Sequence, residues 1–449
     1  MKKKLKRPVL VIAKVFFPVG TKRHAWLLDI YLLIKTEGLF SIFRKAWYKV
    51  AFFVIRILGF SASEAKYMKI YADFLNETTN EGKEYVPLVE TFVDKGKLPV
   101  KLLAFYLPQF HPIPENDEWW GRGFTEWTNT SKALPNFIGH YQPHLPGELG
   151  FYDLRIPDVQ KRQVALARQY GIYGFAFYYY WFAGKKLLER PLEQYLADKE
   201  LDFPFCLCWA NENWTRRWDG AESEILIEQV HSDDEYTAFI KDISVYFNDP
   251  RYVFVEGKPL LIVYRVDILP DAAKAASIWR AESKKLGFND IYLVAVQSFG
   301  ISDPSPYGFD AAVEFPPHGL GDFLIRKDDE SIVNPNFAGH FFDYLGASRT
   351  LAEKKVPDYT LFRTVMPSWD NTARRQNSGN IFINASPAAY RQWLEATIRY
   401  TVQHLPIDKN FVFINAWNEW AEGTHLEPDR RYGYAHLQAT LDALRANLD

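Results

Sequence analysis

The chain has 449 residues, 48% hydrophobic and 24% charged, with a net charge of −2; this composition excludes a disordered or fibrous polymer and leaves room for one large domain plus an appendage. Its two cysteines, Cys206 and Cys208, supply neither a disulfide framework nor zinc-ligand spacing, which points to a reducing compartment. Aromatic residues are plentiful, with 14 Trp, 26 Tyr and 34 Phe, a stock that serves protein cores and sugar-binding clefts alike.

Residues 1–60 hold 13 Lys and Arg against Asp29 and Glu37, a local charge of +11 in a chain that is acidic elsewhere. Lys2, Lys3, Lys4, Lys6 and Arg7 precede an apolar run over 8–20, but Lys14 interrupts it and no small-residue cleavage site follows. The longest later apolar stretch, 50–60, is broken by Arg56 and is too short to span a bilayer. Aromatic and aliphatic residues mixed with Lys and Arg over 24–60 fit amphipathic helices lying on an anionic membrane, each basic side chain adding about 1 kcal/mol of attraction. The alternative is a basic helical pair packed on the rest of the protein. The expectation is a basic N-terminal extension over 1–98, with peripheral contact through 1–60 at the cytoplasmic face of the cell membrane.

From residue 99 the pattern becomes regular. Short β-branched and aromatic runs at 102–106, 174–178, 205–210, 260–264, 292–296, 311–314, 364–367 and 411–416 read as strands. Helical stretches fall near 157–170, 186–199, 233–247, 271–286, 338–355, 387–404 and 431–447, with Asp271 and Ser386 as expected N-caps and Pro387 at a first helical position. Eight strands with helices between them predict an α/β fold, a (β/α)8 TIM barrel with enlarged loops over 99–449. A doubly wound open sheet would bring a glycine-rich turn after its first strand. Here the first strand runs into Leu107-Pro108-Gln109-Phe110-His111-Pro112 instead.

A barrel places its chemistry at the C-terminal ends of its strands, and polar and aromatic residues gather there. Strand one ends in Tyr106, Gln109 and His111, and strand two in Tyr178, Tyr179 and Trp181. Strand three ends in Trp209, Asn211, Glu212, Asn213 and Trp214, and strand seven leads to Trp369, Asp370 and Asn371. Strand eight leads to Asn415, Trp417, Asn418, Glu419, Trp420 and Glu422, and Glu126 lies in a long loop between Trp120 and Trp127. All of these but Tyr179 and Trp214 are candidate glycan contacts, with Glu419 and Glu422 set apart. Two carboxyls three residues apart beyond an apolar strand can enter one cleft, and glycosidic cleavage needs a proton donor for the leaving oxygen and a base or nucleophile for the sugar. Burial beside Trp417 and Trp420 would hold one of them protonated near neutrality.

The segment Asn415-Ala416-Trp417-Asn418-Glu419-Trp420-Ala421-Glu422-Gly423-Thr424 resembles the signature of family 99 glycoside hydrolases, the endo-α-mannosidases. It is more similar still to their bacterial relatives, the WbsX-like proteins of O-antigen and capsule gene clusters. The segments 105–112, 119–127, 209–214 and 367–372 extend the likeness over about residues 100–445. The resemblance implies a retaining reaction in which Glu419 deprotonates the sugar 2-hydroxyl for attack on C1, while Glu422 protonates the departing oxygen and then activates the acceptor. Paired carboxylates could equally use a direct nucleophile. Ala421 stands where the mannosidases usually carry His, so mannose is not implied.

The spacing His140-x-x-x-His144 crosses Pro143, so no helical metal pair is expected, and His111 stands alone. Phosphate-loop, dinucleotide-fold and Asp-x-Asp patterns are missing, and basic residues do not interleave with aromatics beyond the leader. The expectation is therefore no cofactor, no metal and no nucleic acid, with an oligo- or polysaccharide substrate, lipid-linked or free. A glycosyltransferase using an activated sugar donor and a non-catalytic glycan-binding scaffold are the alternatives.

Overall fold

Residues Leu102–Leu107 are buried on both sides of their strand, the condition of a parallel strand with helices outside and a packed interior within. The computed structural model describes residues 67, 70–72, 81–91, 93, 95–216, 221–326 and 331–448. The chain divides into two units, Met1–Asp73 and Phe74–Asp449. The basic segment 1–60, with its expected membrane contact, lies outside the described residues, and only the second unit is treated below. Residues 82–86, which precede the expected start of the barrel, are joined to its C-terminal segment: Gly82 N–H donates to Arg431 O and Val86 N–H to Tyr432 O.

In chain order the main elements are β1 (Lys101–Tyr106), α1 (Pro157–Gln169), β2 (Gly174–Phe182), α2 (Arg190–Ala197), β3 (Phe205–Trp209), α3 (Asp233–Phe247), β4 (Lys258–Val263), α4 (Ala272–Lys285), β5 (Tyr292–Gln297) and β6 (Ala311–Glu314). They continue with α5 (Tyr344–Ala352), β7 (Leu361–Phe362 and Thr364–Val365), α6 (Pro387–His404), β8 (Phe411–Ile414) and α7 (Ala435–Arg445). The eight expected strands and seven expected helices are all present. Asp271 accepts from Lys274 N–H and Ser386 from Ala389 N–H, so both expected caps form.

Nine parallel strand segments make a nearly closed barrel. Its two ends are the halves of β7: Leu361–Phe362 pairs with β6, and Thr364–Val365 pairs with β8. Arg363, between them, is buried, and its guanidinium donates to Glu314 Oε1 at 2.9 Å and to the carbonyls of Leu351 and Lys354. One ion pair thus ties β6, β7 and the end of α5 at the seam.

Inside, Phe105 packs on Phe315, Phe413 and Tyr178. Outside, Trp209 stacks on Phe239 at 4.3 Å and meets Trp279, which joins β3 to α3 and α4. Each such ring buries enough apolar surface to contribute about 2–3 kcal/mol. Among the described residues no helix is long and apolar enough to cross a membrane.

Candidate active site

Beyond the barrel strands, extra elements wall the C-terminal mouth. The short helices Pro114–Trp120 and Glu126–Ser131 follow β1, the hairpin Trp214–Arg216 with Ala221–Ile227 follows β3, and a three-stranded sheet (Leu324–Ile325, His340–Asp343, Asn380–Ile383) flanks the later loops. They enclose a cleft of about 880 Å3, large enough for several sugar units.

Glu419 and Glu422 both line this cleft. Directly after β8 the chain makes a tight hairpin, Asn418–Glu419 against Thr424–His425, around the single turn Trp420–Glu422. Gly423 closes that turn at φ +64°, with its α-carbon close against the backbone of Asp370, where a β-carbon would not fit. The turn delivers both carboxyls to the same side.

A single guanidinium then holds them. Arg374, from the one-turn helix Thr372–Arg375, donates through NH2 to Glu419 Oε2 at 2.9 Å, through NH1 to Glu422 Oε1, and through Nε to Glu126 Oε1 at 2.8 Å. Burial pushes the Glu419 carboxyl up to about 8, against the pull of Arg374 and with the help of Glu422 and Glu126. The helix bearing Arg374 is fixed at its start. Asp370 Oδ1 accepts from Thr372 N–H, its Oδ2 pairs with His140 Nε2 at 2.6 Å, and Asn371 Oδ1 accepts from Asn380 N–H. The backbone N–H of Asp370 donates to Glu422 O, tying the loops after β7 and β8 together.

Of the residues expected to touch substrate, Gln109, Tyr178, Glu212, Asn213, Trp369 and Asn371 line the cleft beside Glu419 and Glu422. The others stand behind its wall. The Tyr106 hydroxyl donates to Gln163 on α1, and His111 is buried against Pro108 O. Trp181 and Trp209 face Phe239 in the helical layer, while Asn211 bonds both ways with the backbone of Arg265. Glu126 is wholly buried against Arg374, and Asp370 against His140. Asn415 donates to Pro316 O, and Asn418 clasps the backbone of Leu107 at 2.7 and 3.0 Å.

Trp417 and Trp420 donate their indole N–H groups to Glu427, at 2.9 and 2.7 Å. Glu427 also accepts from Gln163 and Tyr152. Burial raises its carboxyl toward 7, yet all four partners are donors and favour the ionised form.

Trp214, at the end of strand three, lines the cleft too, and with it stand residues that the strand-end reading did not single out: Tyr180, Trp120, Tyr264, Arg265, His318, Arg374 and Arg375. Tyr180 was recoverable, because it shares the side of β2 with Tyr178 by two-residue alternation. Arg265 pairs with Glu212 at 2.6 Å and stacks on Phe299 at 3.7 Å. Away from this wall, His144, His425 and Asp429 place three ligand atoms within 4.8 Å and could jointly hold a metal. As they stand, His144 Nδ1 and His425 Nε2 are hydrogen bonded to each other at 3.0 Å.

Residues 102–440 match the family described as glycosyltransferase WbsX. Two proteins from Xanthomonas campestris pv. campestris, both named uncharacterized protein WxcX, are 52% and 51% identical over 347 residues. That stretch is 77% of this chain and 50% of each of theirs, so the chain spans about half the length of the curated relatives it matches. A solved glycoside hydrolase-like protein superposes with a TM-score of 0.53 at 14% identity, covering 80% of this chain and 98% of that one. The GH99 endo-alpha-mannosidase from Bacteroides thetaiotaomicron gives 0.50 at 13%, covering 79% and 98%. At such identity these two likenesses speak to the barrel fold alone.

Proposed function

This chain belongs to the WbsX glycosyltransferase family, and from that premise we propose that its cleft cleaves or transfers a glycosidic bond with retention, Glu419 and Glu422 being the reacting acids. A carbohydrate-active enzyme of polysaccharide metabolism is what the family and the barrel together support. The observation that carries the finer reading is the convergence of two carboxyls on one guanidinium in an aromatic-walled cleft.

The chemistry runs in two balanced steps. Glu419, ionised, takes the proton of the sugar 2-hydroxyl; O2 attacks C1 as the C1–O bond breaks, and the leaving oxygen takes the proton of Glu422. Glu422, now ionised, removes a proton from water or an acceptor hydroxyl, whose oxygen opens the anhydro ring at C1 while O2 recovers its proton from Glu419. Burial and the nearness of the two carboxyls keep one proton on the pair up to about pH 8, which is the single proton the first step needs; the reaction proceeds from the form in which Glu422 carries it. Gln109, Tyr178, Glu212, Asn213, Trp369 and Asn371 are the proposed glycan contacts, since they share the wall with the pair.

A transferase using a nucleotide-activated donor is the second reading, and the family description favours it. The partners of Arg374 count against it: three acidic side chains, Glu126, Glu419 and Glu422, share that one guanidinium, which leaves it little positive charge to offer a departing diphosphate beside the pair. The substrate proposed is a cell-surface polysaccharide or its lipid-linked precursor, met at the cytoplasmic face of the membrane by way of residues 1–60. The test is incubation with the source organism's surface polysaccharide and lipid-linked precursor, with products read by mass. Shortened chains or chains re-joined without nucleotide support the proposal. Products formed only when a nucleotide sugar is added overturn it in favour of the second reading, and no product from any substrate leaves the scaffold reading standing.

A further inference from the structure

Arg374 has three nitrogen groups committed to three carboxylates from three parts of the chain: Glu126 after β1, and Glu419 and Glu422 after β8. Nothing in its local sequence, Thr372-Ala373-Arg374-Arg375, marks it for that position. The fold fixes it from both sides, through the Asp370–His140 pair at the start of its helix and through the Nε bond to the buried Glu126. Two carboxyls in one cleft repel when both are ionised, and a planar guanidinium can separate and neutralise them at once, whereas an ammonium is a point charge that meets one partner well.

We propose that Arg374 is the positioning residue of the carboxylate pair, one cationic strap that sets the spacing of Glu419 and Glu422 and the charge they carry together, with Glu126 aiming it. The role deepens the glycosidic reading above and rests on it, since it concerns the same two acids. The charged and titratable groups facing Glu419 are Arg374, Glu422 and Glu126, with the Tyr178 and Tyr180 hydroxyls from β2. Burial holds both tyrosines neutral far above the working range, which leaves Arg374 as the cation that opposes a second proton on the pair. Glu126 acts in the other direction, because its own negative charge favours a proton on Glu419.

The whole chain, labelled with 13C at glutamate carboxyls, is titrated by NMR from about pH 5 to 11, and Glu419 is assigned by the signal that Glu419→Gln removes. No glycan is needed, so the outcome is independent of whether the proposed substrate is correct. Arg374→Met is expected to raise the Glu419 midpoint by about 1–3 pH units, Arg374→Lys to raise it less, and Glu126→Gln to lower it. A purely structural arginine would change the unfolding midpoint and leave the titration in place. An unchanged Glu419 midpoint in folded Arg374→Met overturns the proposal. If that variant does not fold, Arg374→Lys and Glu126→Gln decide it, and midpoints that fail to move in opposite directions overturn it equally.

Discussion

Arg374 Nε donates to Glu126 Oε1 at 2.8 Å, joining residues 248 apart in sequence. The contact buries a carboxylate completely beneath a guanidinium that reaches both candidate acids. Glu126 therefore bears on the two candidate acids by way of Arg374, and the four side chains form one charged network. Its parts can be tested one at a time.

Glu422→Gln removes the proposed proton donor and keeps the shape of the side chain. Turnover of the processed glycan is expected to fall about 10²–10⁴-fold, while the affinity measured by calorimetry stays within about threefold. Full turnover in this variant would remove Glu422 from the mechanism.

Trp214 lines the cleft and is braced by Trp119 and Tyr180, each with ring centroids 5.4 Å away. A ring held so is a platform for the apolar face of a sugar. Trp214→Ala is expected to weaken glycan binding about 3–10-fold, from an aromatic contribution of about 0.5–1.5 kcal/mol, with kcat nearly unchanged. Equal affinity in mutant and wild type would place the glycan elsewhere.

Asp370 is held down to about 2: burial alone would raise its carboxyl, but the charge and hydrogen bond of His140, with hydrogen bonds from Thr372 and Gln142, outweigh it. A carboxyl depressed in the folded state adds stability that is complete above its ordinary value near 4 and disappears as pH falls toward 2. The contribution is about 2 kcal/mol. In urea unfolding, Asp370→Asn should be weaker than wild type at pH 7, and the gap should close between about pH 4 and 2. A gap independent of pH would mean that Asp370 acts through shape alone.

Glu427 collects four donors and no acceptor. Glu427→Gln turns one oxygen into an amide that faces donors, and should lower stability by about 2–5 kcal/mol through orphaned buried N–H and O–H groups. Denaturant midpoints measure this. A shift below about 0.5 kcal/mol would show that the network re-pairs without the carboxylate.

The leader offers a separate test. Deleting residues 1–60, with their charge of +11, is expected to abolish co-sedimentation with anionic lipid vesicles and to leave the thermal transition of the barrel in place. A truncated protein that still pellets with vesicles would locate lipid contact elsewhere.

The barrel was legible because its strands and helices are local patterns, and the parts of the site that follow from position on a strand were legible with it. Glu419 and Glu422 lie where an apolar strand ends, and the structure brings both to the cleft. What strand ends do not reveal is direction. Tyr178 and Tyr180 enter the cleft, while Trp181 turns to Phe239, because alternate side chains of a strand face opposite ways. Applying that alternation to β2 would have favoured Tyr180 over Trp181. Past the strand ends no such rule exists, and the Trp417, Asn418 and Trp420 side chains turn inward to bond Glu427 and Leu107. Arg374 was least legible of all. In sequence it is one of two arginines in a short polar stretch, and only the long-range contacts with Glu126, Glu419 and Glu422 give it meaning.

The bonds from Trp417 and Trp420 to Glu427 have a practical consequence. Two indoles are fastened to one carboxylate on the loop that carries both acids, and Trp420 also lies flat on the His425 ring at 3.7 Å. Burial holds that imidazole uncharged down to about pH 4, so it becomes a cationic quencher only in strong acid. Tryptophan emission should therefore act as a resident optical probe, steady while the loop is intact and altered when a variant or a bound sugar disturbs it. Ligands for this cleft can be sought by their light signal before any product is known.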